Sequence, residues 1–340
     1  MSAPKLILIS FLIALYLPSV GAATPEQDFL FRAKHEMLLR DADGALAALA
    51  SMKSALQSMP AEAGAAQLAP AQEAFGELVR RWKAVEAVYI AGALDEEFLD
   101  HPGYIDHYHR GNESPVDAIS SVLRSDAPLQ QAMFKTSSKG INALEYLLFA
   151  RDEVSPRLWQ AAVIAIDHIS SRLAEVDGFY RRDTSFEDGD GNSLKLLVHA
   201  LVDSSYRLED WRVGEPGGFT GKHKGTPDVE RLEYWRSGMS MAAIESILAT
   251  HAEFFEIGRE TGYFSARVGD QGLEEIDFQR SKIDAAKELA HKLAQWPGVE
   301  VTSADFHDLY ELLETVYRTY YFLLVDELGV EAKIMESDGD

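Results

Sequence analysis

The most constraining feature of this sequence is the helical spacing of its apolar residues, which recurs in nearly every long segment. Apolar residues three or four positions apart mark one face of a helix, whereas a half-buried strand alternates at every second position. Little of the chain alternates in that way. We therefore predict an all-α fold. The predicted helices cover residues 26–59, 71–92, 115–124, 127–150, 156–180, 193–212, 238–260, 272–295 and 303–328.

Breaks in this pattern divide the chain into two halves. The stretch from Pro60 to Pro70 is rich in Ala, Gly and Pro and separates the first two helices. Residues 181–192 are polar and glycine-containing, and they are the best linker candidate. Roughly four long helices fall on each side of this linker, and antiparallel four-helix bundles bury such apolar stripes economically. We predict an N-terminal bundle over residues 24–182 and a C-terminal bundle over residues 193–340.

Residues 1–23 have the pattern of a targeting segment. Lys5 precedes a short apolar core, residues 6–17, and the segment ends in the small residues Gly21-Ala22-Ala23. This arrangement is typical of a cleavable secretory signal peptide, and the core is too short for a membrane anchor. The chain has no Cys, so disulfides and thiolate chemistry are excluded. We expect a periplasmic protein whose mature chain has no transmembrane segment.

The net charge of −23 narrows the range of partners. Nucleic-acid binding requires a basic face that contacts phosphates, so we expect no nucleic-acid partner. An acidic chain suits cations, cationic ligands or simple solubility.

One apolar segment, residues 139–149, contains a single carboxylate, Glu145. In a helix, Asn142 and Glu145 are three positions apart and share a face. An ionised carboxylate is costly to bury unless a cation, a metal or several hydrogen bonds meet it. Two interpretations stay open: Glu145 has such a partner, or it lies on a solvated stripe with Ser138, Asn142 and Asp152.

This segment resembles the signature helix of the imelysin-like family, whose motif reads Gly-x-His-x-x-Glu before an apolar run. Gly140 and Glu145 match the motif, whereas Asn142 stands where the family has His. The resemblance covers most of the mature chain. Its other parts are Arg81, Trp82 and Glu86, then Ile105-Asp106-His107-Tyr108-His109, then residues 208–217 and 224–234, and finally Ser240, Ile244 and Leu248.

The resemblance implies two helical bundles with a pocket where they meet. The candidate pocket residues are Glu86, Asp106, Asn142, Glu145 and Arg212. Glu86 and Glu145 are the candidate metal ligands, since carboxylates on facing helices of a bundle form a recognised kind of metal site.

Asn142 weakens that candidate site. An Asn amide offers a neutral oxygen instead of the imidazole nitrogen that suits Zn, Cu and Fe. We therefore expect no tight transition-metal site, unless His107 or His109 compensates. In the alternative interpretation, Asn142 hydrogen-bonds Glu145 or a facing backbone group within a polar network.

Two loops carry further candidate residues. His101, His107 and His109 lie within nine residues but match no zinc signature, so they are either metal ligands or ordinary surface residues. Residues 213–227 form a Gly-rich, locally basic loop, either a binding segment or a connector. Its glycines do not have the nucleotide-binding spacing.

Arginines and tryptophans complete the candidates. Arg207 and Arg212 precede the Gly-rich loop, and they either pair with a buried carboxylate such as Glu145 or form surface pairs with Glu209 and Asp210. The five Trp residues are expected core fillers or pocket walls.

Three functional hypotheses follow, since the resemblance implies iron-regulated, exported proteins linked to iron uptake, with one branch of peptidases. The first is a non-enzymatic binding or accessory protein, for which we assign no catalytic residue. The second is a metallopeptidase of the imelysin type, and the third is a structural interaction module with a vestigial pocket. The cofactor is open between none, a divalent metal and iron. The partner is a small ligand, a metal or a periplasmic or outer-membrane protein.

Overall fold

The computed structural model describes residues 23–60, 64–109, 113–150, 155–188, 192–296 and 298–322. Every regular element in these ranges is helical, which confirms the predicted all-α fold. The predicted signal segment up to residue 22 lies outside the described residues, as does the end of the last predicted helix beyond residue 322.

The first half begins with a long helix in three consecutive parts: α1 (Pro25–Arg32), a π-helical stretch (Ala33–Leu39) and α2 (Arg40–Gln57). The helices that follow in this half are α3 (Ala69–Ala87), α4 (Ala91–Leu94), α5 (His101–Ile105), α6 (Pro115–Arg124), α7 (Leu129–Ala132), α8 (Ile141–Phe149) and α9 (Pro156–Arg182). Short 3₁₀ turns connect them at Ala65–Leu68, Glu96–Phe98 and Thr136–Ser138, and another follows α9 at Ser185–Asp188.

The starts of α6 and α9 follow from local sequence. The Oγ atom of Ser114 accepts a hydrogen bond from the Asp117 N–H at 3.2 Å, and Ser155 does the same for the Leu158 N–H at 3.3 Å. A proline occupies the first helical position in both cases. A capping hydroxyl and a proline with a preset φ angle both favour helix initiation at that residue.

The single helix predicted over residues 127–150 is wrong, because the chain forms two shorter helices there, α7 and α8, with a 3₁₀ turn between them. Gly140 precedes α8 in an extended conformation. A Cβ atom at this position would lie 3.0 Å from the Ile105 carbonyl oxygen. The start of α8 is therefore set by close packing against the chain at residue 105, which a helical pattern in the sequence does not reveal.

Among its described residues, the second half contains four longer helices, with short helices and turns between the first two of them. Its elements are α10 (Asn192–Arg207), a π-helical stretch (Leu208–Gly214), α11 (Glu215–Gly217), 3₁₀ turns at Gly221–His223 and Val229–Arg231, α12 (Ser240–Glu260), α13 (Tyr263–Arg267), α14 (Asp270–Ala294) and α15 (Ala304–Phe322).

The two halves are joined through their apolar cores. Tyr234 and Ala243 from the second half belong to the core that α2, α3, α8 and α9 form. In return, Phe29 and Leu38 from the first half belong to the core around α10, α12, α14 and α15. Helix α3 also packs against α12. The division into bundles at residues 182 and 193 stays a prediction, and the candidate site lies where the two cores meet.

Within the described residues, no helix combines the length and the apolar character that a bilayer span requires.

Candidate functional site

A buried lysine on α3 connects the two halves. The Lys83 side chain is 0% exposed, and its ammonium nitrogen lies 2.7 Å from Glu86, 2.8 Å from Asp106 and 2.5 Å from Glu233. Glu86 is on the same helix, Asp106 follows α5, and Glu233 precedes α12. The ammonium group has three protons to donate, so each carboxylate can accept one of them.

Arg212 contributes the second cation of this group. Its Nη2 atom lies 2.8 Å from Glu86 and its Nε atom lies 2.8 Å from Glu233. The π-helical stretch that precedes α11 carries Arg212, whose side chain is 4% exposed. We call these five residues the ionic cluster: Lys83, Glu86, Asp106, Arg212 and Glu233.

Asp106 is fully satisfied by its neighbours. Its Oδ2 atom accepts hydrogen bonds from Lys83, from the Trp82 Nε1–H at 3.2 Å and from the Tyr234 hydroxyl, while its Oδ1 atom accepts the Tyr108 N–H at 3.0 Å. Burial alone would raise the pKa of Asp106, but the Lys83 charge and these hydrogen bonds hold the pKa well below its usual value. Asp106 is therefore a charged structural anchor of the cluster.

Tyr234 reaches Asp106 from a strained backbone position. Its φ angle is +58°, in the left-handed region that bulky residues rarely adopt. The side chain is buried, and the Lys83 ammonium lies 5.2 Å from the centre of its ring. Such strain costs about 1–3 kcal/mol and persists only where the surroundings hold it. Here the hydrogen bond to Asp106 and the core packing hold it.

The cluster has one more negative charge than positive charges when all of its groups are ionised. Burial would raise the pKa of Glu86, yet the charges of Lys83 and Arg212 lower it below the usual value. Burial raises the pKa of Glu233 to about 7, even though both cations contact it. Because three carboxylates share two cations, one of them holds its proton more readily than the others, and Glu233 is the one whose pKa is raised.

Asn142 joins α8 to the loop that carries Asp106. Its Oδ1 atom accepts a hydrogen bond from the His107 N–H at 2.7 Å. This contact matches the interpretation in which Asn142 bonds a facing backbone group. Together with the close approach at Gly140, it fixes residues 105–107 against the start of α8.

Glu145 is buried, at 3% exposure, and the groups that bond it directly are neutral, although the charge of Arg236 also acts on it and lowers its pKa. Its Oε1 atom accepts the Ser237 N–H at 2.9 Å and the Ser237 hydroxyl at 2.8 Å. Burial raises the pKa of Glu145 despite these hydrogen bonds. Glu145 therefore contacts the second half of the chain, at the segment that also supplies Glu233 and Tyr234.

The predicted site residues thus fall into two neighbouring groups. Glu86, Asp106 and Arg212 belong to the ionic cluster, whereas Asn142 and Glu145 bond the His107 and Ser237 backbones. Arg212 pairs with buried carboxylates rather than with Glu209 or Asp210 on the surface, but these carboxylates are Glu86 and Glu233 and not Glu145. The other arginine before the Gly-rich loop, Arg207, pairs with Asp203 at 2.6 Å.

Sequence patterns did not identify four residues of the site: Lys83, Glu233, Tyr234 and Ser237. Lys83 was predictable from the sequence, since it lies four residues after Val79 and three before Glu86 on one face of α3. A cation on an otherwise apolar helix face predicts a buried ion pair. Glu233 and Ser237 lie outside regular helices, where helical periodicity gives no information.

The residues of the motif do not fit a divalent metal in this arrangement. Glu86 and Asp106 have Lys83 or Arg212 at contact distance, and a bound cation would be repelled by both. Asn142 and Glu145 already accept hydrogen bonds from the protein. Among the described residues, three metal-capable side-chain atoms come within 4.8 Å of one another only at the exposed His307, Asp308 and Glu311.

The His residues of segment 101–109 contact different halves of the chain. His101 contacts Glu175 of α9 at 2.9 Å, whereas His109 stacks on Trp211 with ring centres 4.8 Å apart. Of the Trp residues, Trp82 fills the core beside Asp106 and Trp159 lines a half-open cavity of about 470 Å³ between α2, α7 and α9. The pocket predicted between the two bundles stays a prediction.

Comparison with known proteins identifies the family. The family model Imelysin (Peptidase M75) matches residues 38–313. No curated protein matches the chain.

Two solved structures are similar to this chain. An imelysin-like protein from Psychrobacter arcticum 273-4 has a TM-score of 0.75 and 19% identity, over 91% of this chain and 97% of that one. A putative iron-regulated protein A precursor from Parabacteroides distasonis ATCC 8503 has a TM-score of 0.67 and 11% identity, over 89% of this chain and 96% of that one. Likeness at these identities shows the fold alone. Because the family model matches most of the residues, the chain belongs to the imelysin family.

Proposed function

We propose that this protein is an exported, non-enzymatic binding or accessory protein of the imelysin family with a role in iron or metal uptake. The observation that carries the proposal is the position of Lys83, whose ammonium group lies among three carboxylates from both halves. A protein cation fills the space in which carboxylates of a bundle would otherwise hold a metal ion.

The chemistry of the motif supports the absence of peptidase activity. A metallopeptidase needs an open metal position and a water that the metal or a base activates. Asn142 and Glu145 bond the chain itself, at His107 and Ser237.

The ionic cluster instead suits a structural role in binding. Ion pairs fix the second half against α3. Lys83 and Glu86, both on α3, pair with Glu233 and Arg212 of the second half, and each cation also contacts the other carboxylate. Breaking buried pairs of this kind is costly, so the two halves are held in one arrangement. A rigid body of this kind is suited to presenting a binding surface to a ligand or to a protein partner.

The proposed link to iron and the proposed export rest on the family, on a similar solved structure and on the pattern of the first residues. One similar structure is named an iron-regulated protein precursor, and the sequence begins with the pattern of a signal peptide. We propose the periplasm as the location, and a small ligand, a metal or a periplasmic or outer-membrane protein as the partner.

Peptide cleavage by tag-free protein, with and without added Zn²⁺ or Fe²⁺, tests the proposal. The substrate is fluorescently labelled casein, and Glu145→Gln is the matched variant. We expect no cleavage above the rate of the variant. Metal-dependent cleavage that chelation and Glu145→Gln both abolish would overturn the proposal in favour of a metallopeptidase.

Two further measurements address export and iron. Intact-mass analysis of protein from the periplasmic fraction should show the loss of residues 1–23. A strain that lacks the protein should grow more slowly than its parent when iron is limiting and equally well when iron is abundant. Equal growth in both conditions would contradict the iron link.

A further inference from the structure

Three metal-capable side chains meet beside the ionic cluster, outside the family motif. His109 belongs to the loop after α5, Glu215 begins α11, and His223 ends the 3₁₀ turn of the Gly-rich loop. The Oε2 atom of Glu215 lies 3.5 Å from the Nε2 atom of His109 and 3.9 Å from the Nε2 atom of His223. We call this set the His-Glu-His group.

The separation between His109 and Glu215 is that of two ligands of one ion rather than that of a short hydrogen bond. A hydrogen bond between nitrogen and oxygen usually spans about 2.7–3.2 Å. Two ligands of one tetrahedral ion, each bonded at about 2.0–2.2 Å, lie about 3.4 Å apart. The separation between His109 and Glu215 therefore matches a shared ion, and that between His223 and Glu215 is slightly longer.

The His109 ring is already held in place. Its φ angle is +53°, in the left-handed region where His is more common than most residues. The ring stacks on Trp211 with an interplanar angle of 9°. Its side chain is 26% exposed, against 16% for Glu215 and 24% for His223, so an ion in solution can reach the group. A held ring loses little entropy when it becomes a ligand.

The His223 side chain must move before all three side chains can bind one ion. Three metal-capable atoms within 4.8 Å of one another occur, in the described ranges, only at His307, Asp308 and Glu311. Because Glu215 is within that distance of each imidazole, the gap that must close is the one between the two imidazoles.

The space around the Gly-rich loop permits this movement, although the backbone of the loop is held in place. Gly221 and Gly225 have φ angles of +61° and +77°, and a Cβ atom at either position would contact nothing within 4 Å. The loop is anchored behind them, since the Gly225 N–H bonds the Gly218 carbonyl at 2.7 Å. The His223 carbonyl also accepts hydrogen bonds from the Thr226 N–H at 2.9 Å and from the Thr226 hydroxyl at 2.7 Å, so the movement is a rotation of the His223 side chain on a held backbone.

We propose that His109, Glu215 and His223 form a binding site for a divalent first-row transition-metal ion, completed when the His223 side chain rotates toward His109. Two imidazoles and one carboxylate with open positions suit Fe²⁺ and Zn²⁺. The metal site itself does not depend on the proposed function; only the biological use of the bound ion rests on it.

The exposed His307, Asp308 and Glu311 are the matched comparison. All three belong to α15, and the side chains of His307 and Glu311 are 51% and 65% exposed. Holding flexible surface side chains around an ion costs rotamer entropy. We expect this second group to bind divalent ions weakly.

Calorimetric titration with Zn²⁺ tests the site, on tag-free mature protein that a chelator has first stripped of metal. We expect one equivalent to bind. His109→Asn, Glu215→Gln and His223→Gln should each weaken binding at least about 10-fold, since each removes one ligand. Asn at position 109 tolerates the left-handed backbone. His307→Gln should bind like the natural protein.

A second readout protects the test against misfolded variants. Trp211 stacks on His109, so a paramagnetic ion at the site should quench the fluorescence of Trp211. One equivalent of Co²⁺ should therefore quench part of the emission of the natural protein, and Trp211→Phe should remove that quenching. Thermal melts without metal identify variants that fail to fold.

Three results would overturn the inference: no stoichiometric binding by the natural protein, loss of binding in His307→Gln, or unchanged binding in the folded His109 and His223 variants. Should those variants not fold, quenching that persists in Trp211→Phe would overturn it. Failure of the site is distinguishable from failure of the proposed function. Peptide cleavage would contradict the function whatever the titration gives, and unchanged binding in the variants would contradict the site alone.

Discussion

Glu86 and Glu145 lie on α3 and α8, two helices that pack together, and each contacts the second half of the chain through partners of a different kind. Glu86 bonds the cations Lys83 and Arg212, whereas Glu145 bonds the neutral backbone and hydroxyl of Ser237. The pKa of Glu86 is lowered and that of Glu145 is raised. Burial raises the pKa at both positions, so the charges of the neighbouring groups decide whether the net pKa shift is upward or downward.

This difference shows how the joint between the halves works. The ionic cluster holds the halves together only while its charges are present, because an unpaired buried charge is strongly unfavourable. The contact of Glu145 with Ser237 depends on hydrogen bonds that a neutral side chain could also make. We therefore expect charge changes to be severe in the first group and mild in the second.

The largest effect should come from Lys83→Met. The variant keeps most of the side-chain volume but leaves three carboxylates with one cation, Arg212. Removing one partner of a buried ion pair costs about 3–5 kcal/mol, and we expect the free energy of unfolding to fall by that amount. Urea denaturation followed by circular dichroism measures it.

Lys53→Met is the control for that change, because Lys53 pairs with Asp167 at the protein surface. Exposed pairs contribute roughly 0–1 kcal/mol, so this variant should unfold almost like the natural protein. Similar losses in both variants would show that the buried position of Lys83 has no special role.

The second effect should come from Asn142→Ala, which removes the acceptor for the His107 N–H. Loss of one such hydrogen bond costs about 0.5–1.5 kcal/mol. We also expect faster hydrogen exchange at the His107 amide, since that N–H becomes accessible by local opening. Asn142→Asp keeps an acceptor oxygen and should retain the amide protection. Unchanged exchange in the Ala variant would contradict the role given to Asn142.

Local signals in the sequence predicted much of the fold. Ser155 and Pro156 gave the start of α9, and helical periodicity gave α6 and α12 within about two residues, the usual uncertainty of helix ends. The break before α8 was not predictable, since it depends on how closely Gly140 approaches residue 105. A contact between distant segments leaves no trace in local periodicity.

The candidate site was predictable in part for the same reason. Family resemblance selected Glu86, Asp106 and Arg212, which the structure brings together. It gave no indication that Lys83 lies among them, because Glu233, which pairs with Lys83, is 150 residues away in sequence. Pairing across that distance is decided by packing of the two halves, not by either segment alone.

The smallest effect should come from Glu145→Gln, and it should depend on pH. The folded-state pKa of Glu145 is raised above the usual value, so the group contributes stability that is fully present below its unfolded pKa and lost as pH rises through the folded pKa. Gln stays neutral throughout and still offers an oxygen to Ser237. The variant should therefore gain stability relative to the natural protein between about pH 4 and pH 7.

Urea denaturation at both ends of that range measures the gain, and Glu73→Gln, at an exposed position of α3, is the control. The shift of Glu233, whose pKa is raised to about 7, is common to all three proteins and cancels in the comparison. A variant that instead loses stability as pH rises, relative to the natural protein, would show that the Arg236 charge outweighs the effect of burial on Glu145. In that case Glu145 would resemble Glu86, and the contrast between the two groups would be wrong.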